Sequence, residues 1–182
     1  MRKFAEFLSV LLCAGLIASG TNAAEKKNLI YLDLEYGRVV IETKPDIAPK
    51  HVARIKELVK KGFYDGVVFH RVIPGFMAQG GDPTGTGTGG SGQKIPAEFS
   101  SVKHVRGTVS MARANDPNSA DSQFFICFAD ASFLDGKYTV WGQVIQGMEF
   151  VDKIKKGSQA NNGAVQNPDK IIKARLAEDV KD

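Results

Sequence analysis

Three histidines, two cysteines and a glycine-rich run are the residues of this sequence with types suited to familiar chemistry. His51, His70 and His104 lie far apart, and none has a carboxylate or a second histidine at a ligand-like spacing, so the pattern predicts no metal centre. Cys127 sits inside the apolar run Phe124-Phe125-Ile126-Cys127-Phe128, the setting of a buried inert thiol rather than of a nucleophile. No serine occupies a Gly-x-Ser-x-Gly elbow. Gly85-Thr86-Gly87-Thr88-Gly89-Gly90 has the form G-x-G-x-x-G, but Ser91-Gly92-Gln93-Lys94-Ile95-Pro96 follows it and offers no helix N-terminus to a phosphate. A flexible or closely packed loop is the simpler reading. The chain thus lacks an obvious nucleophile or acid–base pair, an absence that is informative if its chemistry needs neither.

What remains is spacing. Alternate residues of an extended strand share a face, so Gln123, Phe125 and Cys127 point one way while Phe124, Ile126 and Phe128 point the other. A polar amide and an aromatic ring can then project together into a groove while the opposite face fills a core. Met77 and Gln79 are co-facial for the same reason. On pattern alone, Phe76, Phe125 and Leu134 read more simply as core packing.

The elements that would position these residues are short. Leu29–Glu35 alternates apolar and polar residues, Tyr36-Gly37 makes a turn, and Arg38–Thr43 returns as a second strand with one buried face. Pro49 opens a helix in which Val52, Ile55, Leu58 and Val59 recur at helical spacing, and Gly62 ends it. A second helix is predicted over Met148–Lys156, stopped by Gly157. Further strands are expected around Val67–Val72, Phe76–Gln79, Gly107–Met111, Ser122–Phe128, Thr139–Ile145 and Lys170–Leu176. Eight strands and two helices without βαβ alternation predict a mainly β fold, a closed eight-stranded antiparallel β-barrel capped by two α-helices. No repeat or linker divides the chain, so residues 24–182 are expected to form one domain.

Several stretches, in order, then carry a resemblance: Phe69-His70-Arg71-Val72-Ile73-Pro74-Gly75-Phe76-Met77-Ala78-Gln79-Gly80-Gly81-Asp82, Ser110-Met111-Ala112-Arg113-Ala114, Ser122-Gln123-Phe124-Phe125-Ile126 and Phe133-Leu134-Asp135-Gly136-Lys137. Together they resemble the cyclophilin family of peptidyl-prolyl cis–trans isomerases, from about Leu29 to Leu176, in its compact bacterial form. The resemblance implies the same barrel and a reaction that rotates X–Pro bonds with no cofactor and no covalent intermediate. It places Arg71 as the catalytic residue. Phe76, Met77, Phe125 and Leu134 match the proline pocket, and Gln79, Ala112, Arg113 and Gln123 match positions that hold the substrate backbone or carbonyl. Phe133 and Tyr138 match further groove positions but depart from the common pattern, where Trp and His are usual; Arg113 stands where Asn is common. Because Phe133 lacks the indole donor, weak binding of the cyclic-peptide inhibitor cyclosporin is expected. The lone Trp141 reads as structural. Two other classes stay open: a cyclophilin-like binding or chaperone module without turnover, and a carbohydrate- or nucleotide-binding barrel resting only on the glycine-rich loop.

Composition narrows the partners. The chain has 182 residues, 24 Lys+Arg against 20 Asp+Glu, a net charge of +4 and 43% hydrophobic residues. Its basic residues occur in pairs at most, such as Lys60-Lys61, which argues against nucleic acid as a partner. Arg2 and Lys3 precede an apolar run from Phe7 to Ala18, and Thr21-Asn22-Ala23 provides small residues for cleavage, so residues 1–23 read as a removable secretory signal. That run falls short of the roughly 20 apolar residues of a membrane span, and Leu12 before Cys13 is too large for lipoprotein processing, so no membrane anchor is expected. The expectation is a periplasmic monomer without a disulfide, acting on proline-containing, unfolded or flexible protein segments.

Overall fold

The computed structural model describes residues 26–181; the expected signal, residues 1–23, lies outside them. β1 (Leu29–Leu34) and β2 (Gly37–Thr43) form the predicted hairpin, with Ile30, Leu32 and Leu34 turned inward. Gly37 is required at its turn: its φ is +141°, and a Cβ there would meet the Phe150 ring at 2.5 Å. The remaining strands are β3 (Arg71–Ile73), β4 (Met77–Gly80), β5 (Thr108–Met111), β6 (Phe124–Cys127), β7 (Val140–Gln146) and β8 (Lys173–Leu176). They join one antiparallel sheet in the order β3-β4-β6-β5-β7-β2-β1-β8. Register shifts at Val40/Ile41 and Val109/Ser110 bend the strands that flank β7.

The sheet is an open half-barrel, which corrects the expected closed one. β3 and β8 form its edges, and among the described residues only single bridges, Arg71 to Ala164 and Val68 to Lys170, lie along the seam. The physical reason lies in the sequence of the seam. Within the expected strand Val67–Val72 only Arg71 and Val72 join the regular ladder, Val68 making a lone bridge to Lys170, and the opposing segment is broken by positive φ at Asn162, Gly163 and Asn167. That segment still satisfies the edge piecemeal: the Val72 amide donates to Gly163 O at 2.8 Å and the Gly157 amide donates to Val72 O at 2.9 Å.

Helix α1 (Pro49–Lys60) starts on its proline and packs Val52, Ile55, Leu58 and Val59 inward beside β8. Helix α2 covers only Met148–Val151, shorter than the predicted Met148–Lys156. Beyond it the chain tightens into i→i+3 bonds, Lys153 to Phe150 O and Ile154 to Val151 O, before Gly157 is drawn onto β3. The main core lies between sheet and helices and includes Phe124, Ile126 and Trp141. A smaller cluster on the other face of the sheet holds Met77, Phe125, Cys127, Ala131 and Leu134. β6 therefore divides as its alternation predicts. Trp141 packs edge-on against Phe124, 5.9 Å between centroids, and is structural.

Candidate active site

The smaller cluster is the floor of a groove of about 250 Å³. Strand register brings its parts together: Arg71 on β3 lies opposite Gln79 on β4, and Gln79 lies opposite Phe125 on β6. Met77, two residues from Gln79, adds its side chain to the same face, and Leu134 arrives from a 3₁₀ turn at Ser132–Leu134. Met77, Phe125 and Leu134 are buried, whereas Phe133 beside Leu134 is 60% exposed at the rim. Its ring leans on Phe76 with centroids 5.3 Å apart. Tyr138 stands edge-on to Phe125 at 6.0 Å. Ala112 and Arg113, just past β5, complete the wall. Ten of the eleven residues expected from the sequence thus border one cavity; Gln123 does not.

The Arg71 guanidinium is held along one side. Its Nε donates to the main-chain oxygen of Asn162 at 3.0 Å, Nη2 donates to Asn162 Oδ1 at 3.0 Å, and Nη1 donates to Gln79 Oε1 at 3.1 Å. Of five N–H groups on a guanidinium, one on each terminal nitrogen is left over. All three acceptors are neutral, so the positive charge is not quenched by a carboxylate. Burial lowers the pKa of Arg71 from its ordinary value, yet an arginine starting that high stays charged. The groove therefore combines an apolar floor with the oriented guanidinium of Arg71 at its edge and that of Arg113 in its wall.

A family model for cyclophilin type peptidyl-prolyl cis-trans isomerases matches residues 29–176. A probable peptidyl-prolyl cis-trans isomerase of Brucella abortus is 55% identical over an alignment covering 94% of this chain and 93% of that protein. The chain belongs to the cyclophilin-type peptidyl-prolyl cis–trans isomerases. Solved members of the family share its architecture. A cyclophilin from Hirschia baltica matches with a TM-score of 0.76 at 28% identity, covering 92% of this chain and 83% of its own. A cyclophilin type peptidyl-prolyl cis-trans isomerase from Cryptosporidium parvum, crystallised in the presence of the dipeptide Ala-Pro, gives 0.74 at 30% identity over 81% of this chain and 98% of its own.

In this isomerase Gln123 lies outside the groove and lines an adjoining cavity of about 410 Å³ that shares Gln79, Ala112 and Arg113 with it. Its Oε1 accepts from Gln79 Nε2 at 3.0 Å, and its own Nε2 donates to Gly87 O and Gly89 O at 3.0 and 2.8 Å. The amide thus links the glycine-rich loop, through Gln79, to Arg71. That loop is wrapped around a carboxylate of its own: the amides of Thr84, Gly87 and Gly89 all donate to buried Asp82. Burial opposes ionisation of Asp82, but these bonds and the Thr84 hydroxyl outweigh it and bring the carboxyl to about 2. Amides that a phosphate would need are occupied, and the G-x-G-x-x-G form has a local structural use.

Arg113 resolves differently from an asparagine. Its guanidinium lies 4.5 Å over the Tyr138 ring and donates to the carbonyls of Lys137, Ala114 and Asn115. The side chain is committed to the wall, which leaves the Arg113 main chain to meet a peptide. Beneath Phe125, His104 stacks at 6.2 Å and bonds Asp135 through Nδ1 and Ser110 through Nε2, each at 3.1 Å. The Asp135 carboxyl is brought to about 2, first by the His104 amide. Cys127 is fully buried and burial pushes its thiol up to about 12, an inert state. Sequence reasoning missed His104 and Asn162: neither lies within a recognised stretch, and each reaches the site from an irregular segment.

Proposed function

We propose that the isomerase seats the proline ring of its substrate on Met77, Phe125 and Leu134 and lowers the rotation barrier through Arg71. The uncatalysed barrier of about 18–20 kcal/mol reflects amide resonance. As the bond twists, resonance is lost and the prolyl nitrogen becomes a hydrogen-bond acceptor. An N–H group fixed beside that nitrogen then interacts more strongly with the transition state than with either planar isomer, which is the condition for acceleration. No bond is made or broken, so the mechanism asks for neither nucleophile nor cofactor. Ala112 and Arg113 line the wall where the substrate backbone would run, while Phe133, Phe76 and Tyr138 shield the ring from water. Gln79, at the edge of the groove, and Gln123 beside it keep the guanidinium in place.

The observation that carries this reading is the Arg71 guanidinium, held by neutral acceptors with two N–H groups to spare, at the edge of a cavity of about 250 Å³ floored by Met77, Phe125 and Leu134. Exchange measurements by NMR on a short Ala-Pro peptide test it. Arg71→Ala should lower kcat/KM about ten- to more than a hundredfold, the equivalent of a charged hydrogen bond of about 1.5–3 kcal/mol. Arg71→Lys should restore only part, since an ammonium lacks the planar fork. Near-normal turnover in a folded Arg71→Ala protein would remove Arg71 from the mechanism. Binding of the peptide without acceleration by the unmodified protein would favour a holding module instead.

The same proposal places the enzyme outside the cytoplasm, as a monomer that acts on exported chains whose X–Pro bonds limit folding. It rests on the basic, apolar and small-residue order of residues 1–23. Mass determination of the N-terminus of exported protein would show a start near Ala24.

A further inference from the structure

We propose that Asn162 is a positioning residue for catalysis, clamping the Arg71 guanidinium so that its two unused N–H groups face the groove. This rests on the role given to Arg71 above. Asn162 contributes two of the three acceptors, one from the main chain and one from the side chain, both at 3.0 Å. Taking Nε together with Nη2 fixes the plane of the guanidinium as well as its position, which a single acceptor would not do. Gln79 then limits the remaining rotation from the Nη1 side.

Both oxygens of Asn162 reach the same guanidinium because of its backbone. The residue closes the 3₁₀ turn Gln159–Asn161 with φ 50° and ψ 31°, a left-handed conformation that asparagine tolerates better than most residues. The turn is tied to the strand that carries its target. Gly163 gives its oxygen to the Val72 amide at 2.8 Å and its own amide to Ser158 O at 2.8 Å, and Ala164 bridges Arg71 itself. A Cβ on Gly163 would lie 2.5 Å from the Ile73 side chain, so this contact with β3 is close. Residue next to Arg71 is thus bonded to residue next to Asn162, and the two ends of the clamp keep one register.

A free arginine has reason to leave. A second cavity of about 340 Å³, bounded by His70, Thr86 and Asn162 among others, also borders Arg71 and Gln79. An unclamped side chain has this space to enter as well as solvent, and ordering it only as the bond twists would cost rotamer freedom at the transition state. Holding it in advance moves that cost into folding, which is how preorganised donors accelerate a reaction. Because both atoms offered by Asn162 are neutral, the clamp orders the guanidinium without quenching its charge.

Asn162 is itself exposed, and glycine accepts its φ, so Asn162→Gly keeps the turn while deleting one acceptor and loosening the other. Kinetics on the Ala-Pro peptide should show kcat lowered about three- to tenfold with KM within about twofold, and a melting temperature close to that of the parent. In an Arg71→Ala background the same change should cost nothing further. The Arg71 Nε–H and Nη–H signals, observed by nitrogen-15 NMR of the free protein, should broaden or average through faster guanidinium rotation in Asn162→Gly. Unchanged kcat in Asn162→Gly, or an equal fractional loss with and without Arg71, would overturn the clamp while leaving Arg71 as the catalytic group. Full turnover in Arg71→Ala would instead bring down the reading beneath it.

Discussion

At the groove mouth, one atom at Phe133 is expected to separate a substrate from an inhibitor. Its ring is 60% exposed and rests on Phe76, so it gives a peptide an apolar wall. It offers no N–H, and a ligand whose bound pose directs an acceptor at this point must leave that acceptor unpaired, at about 1–3 kcal/mol. For cyclosporin the expected outcome is an affinity about five- to more than a hundredfold weaker than with an indole in place. Phe133→Trp should recover a similar factor in calorimetric titration and keep small-peptide turnover within a few-fold, since the exposed rim has room for the larger ring. Tight inhibition of the unmodified protein, or no gain in the variant, would place the affinity elsewhere in the groove. Residue types in the sequence carried much of this: Arg71, the apolar floor and the departures at Phe133, Tyr138 and Arg113 are all visible in short stretches. The destination of Gln123 was not. An amide that faces a groove by strand alternation looks ready for substrate, and only the carbonyls of Gly87 and Gly89, contributed by a loop without periodic signal, reveal that it is engaged.

β6 is the element on which packing and function meet, because its two faces serve different cores. Phe124 faces the main core, edge-on to Tyr64 and Trp141, whereas Phe125 forms the groove floor above His104. Both rings are nearly inaccessible, at 2% and 4%, so either change to alanine should cost stability, about 3–5 kcal/mol for a fully buried ring. They should part company in function. Phe125→Ala should also raise KM and lower kcat/KM for the Ala-Pro peptide beyond its folded fraction, while Phe124→Ala protein that remains folded should turn over near the parent rate. Paired denaturation and exchange assays giving the reverse order would mean that the strand faces are exchanged. A period of two made this division legible before any coordinates, as a period of 3.6 did for α1. The open seam was not legible, because strand pairing beyond a hairpin depends on where an irregular segment turns. Asn162 lies 91 residues from Arg71 in sequence, and its left-handed backbone leaves no pattern that alternation or helical spacing could detect.

At the scale of the whole molecule, the three buried histidines, none of which the proposed reaction uses to move a proton, are expected to set the first response of the fold to acid. His51 is paired to Glu98 at 2.6 Å, His104 to Asp135 and Ser110, and His70 lies between the fields of Asp82 and Arg71 with neither ring nitrogen hydrogen-bonded. In all three, burial is the largest influence and lowers the pKa; carboxylates pull His51 and His104 the other way without prevailing, and Asp82 does the same for His70. A lowered pKa in the folded state means that the unfolded chain takes up protons first as pH falls. The stability linked to these groups is therefore complete above the unfolded value of about 6.5 and is lost as pH falls toward their folded values. Asp82 and Asp135, both at about 2, follow the same sign at lower pH, with their contribution lost from about pH 4 downward. Chemical denaturation from pH 8 to pH 3 should give a plateau near neutrality, a first decline below about pH 6.5 and a second below about pH 4. His70 offers the cleanest dissection, because its ring has no hydrogen bond to lose. His70→Phe should hold its stability at pH 7.5 and decline less steeply than the parent between about pH 6.5 and pH 5. An identical slope in the variant would show that His70 binds its proton as readily in the fold as out of it, and would leave His51 and His104 to account for the first decline.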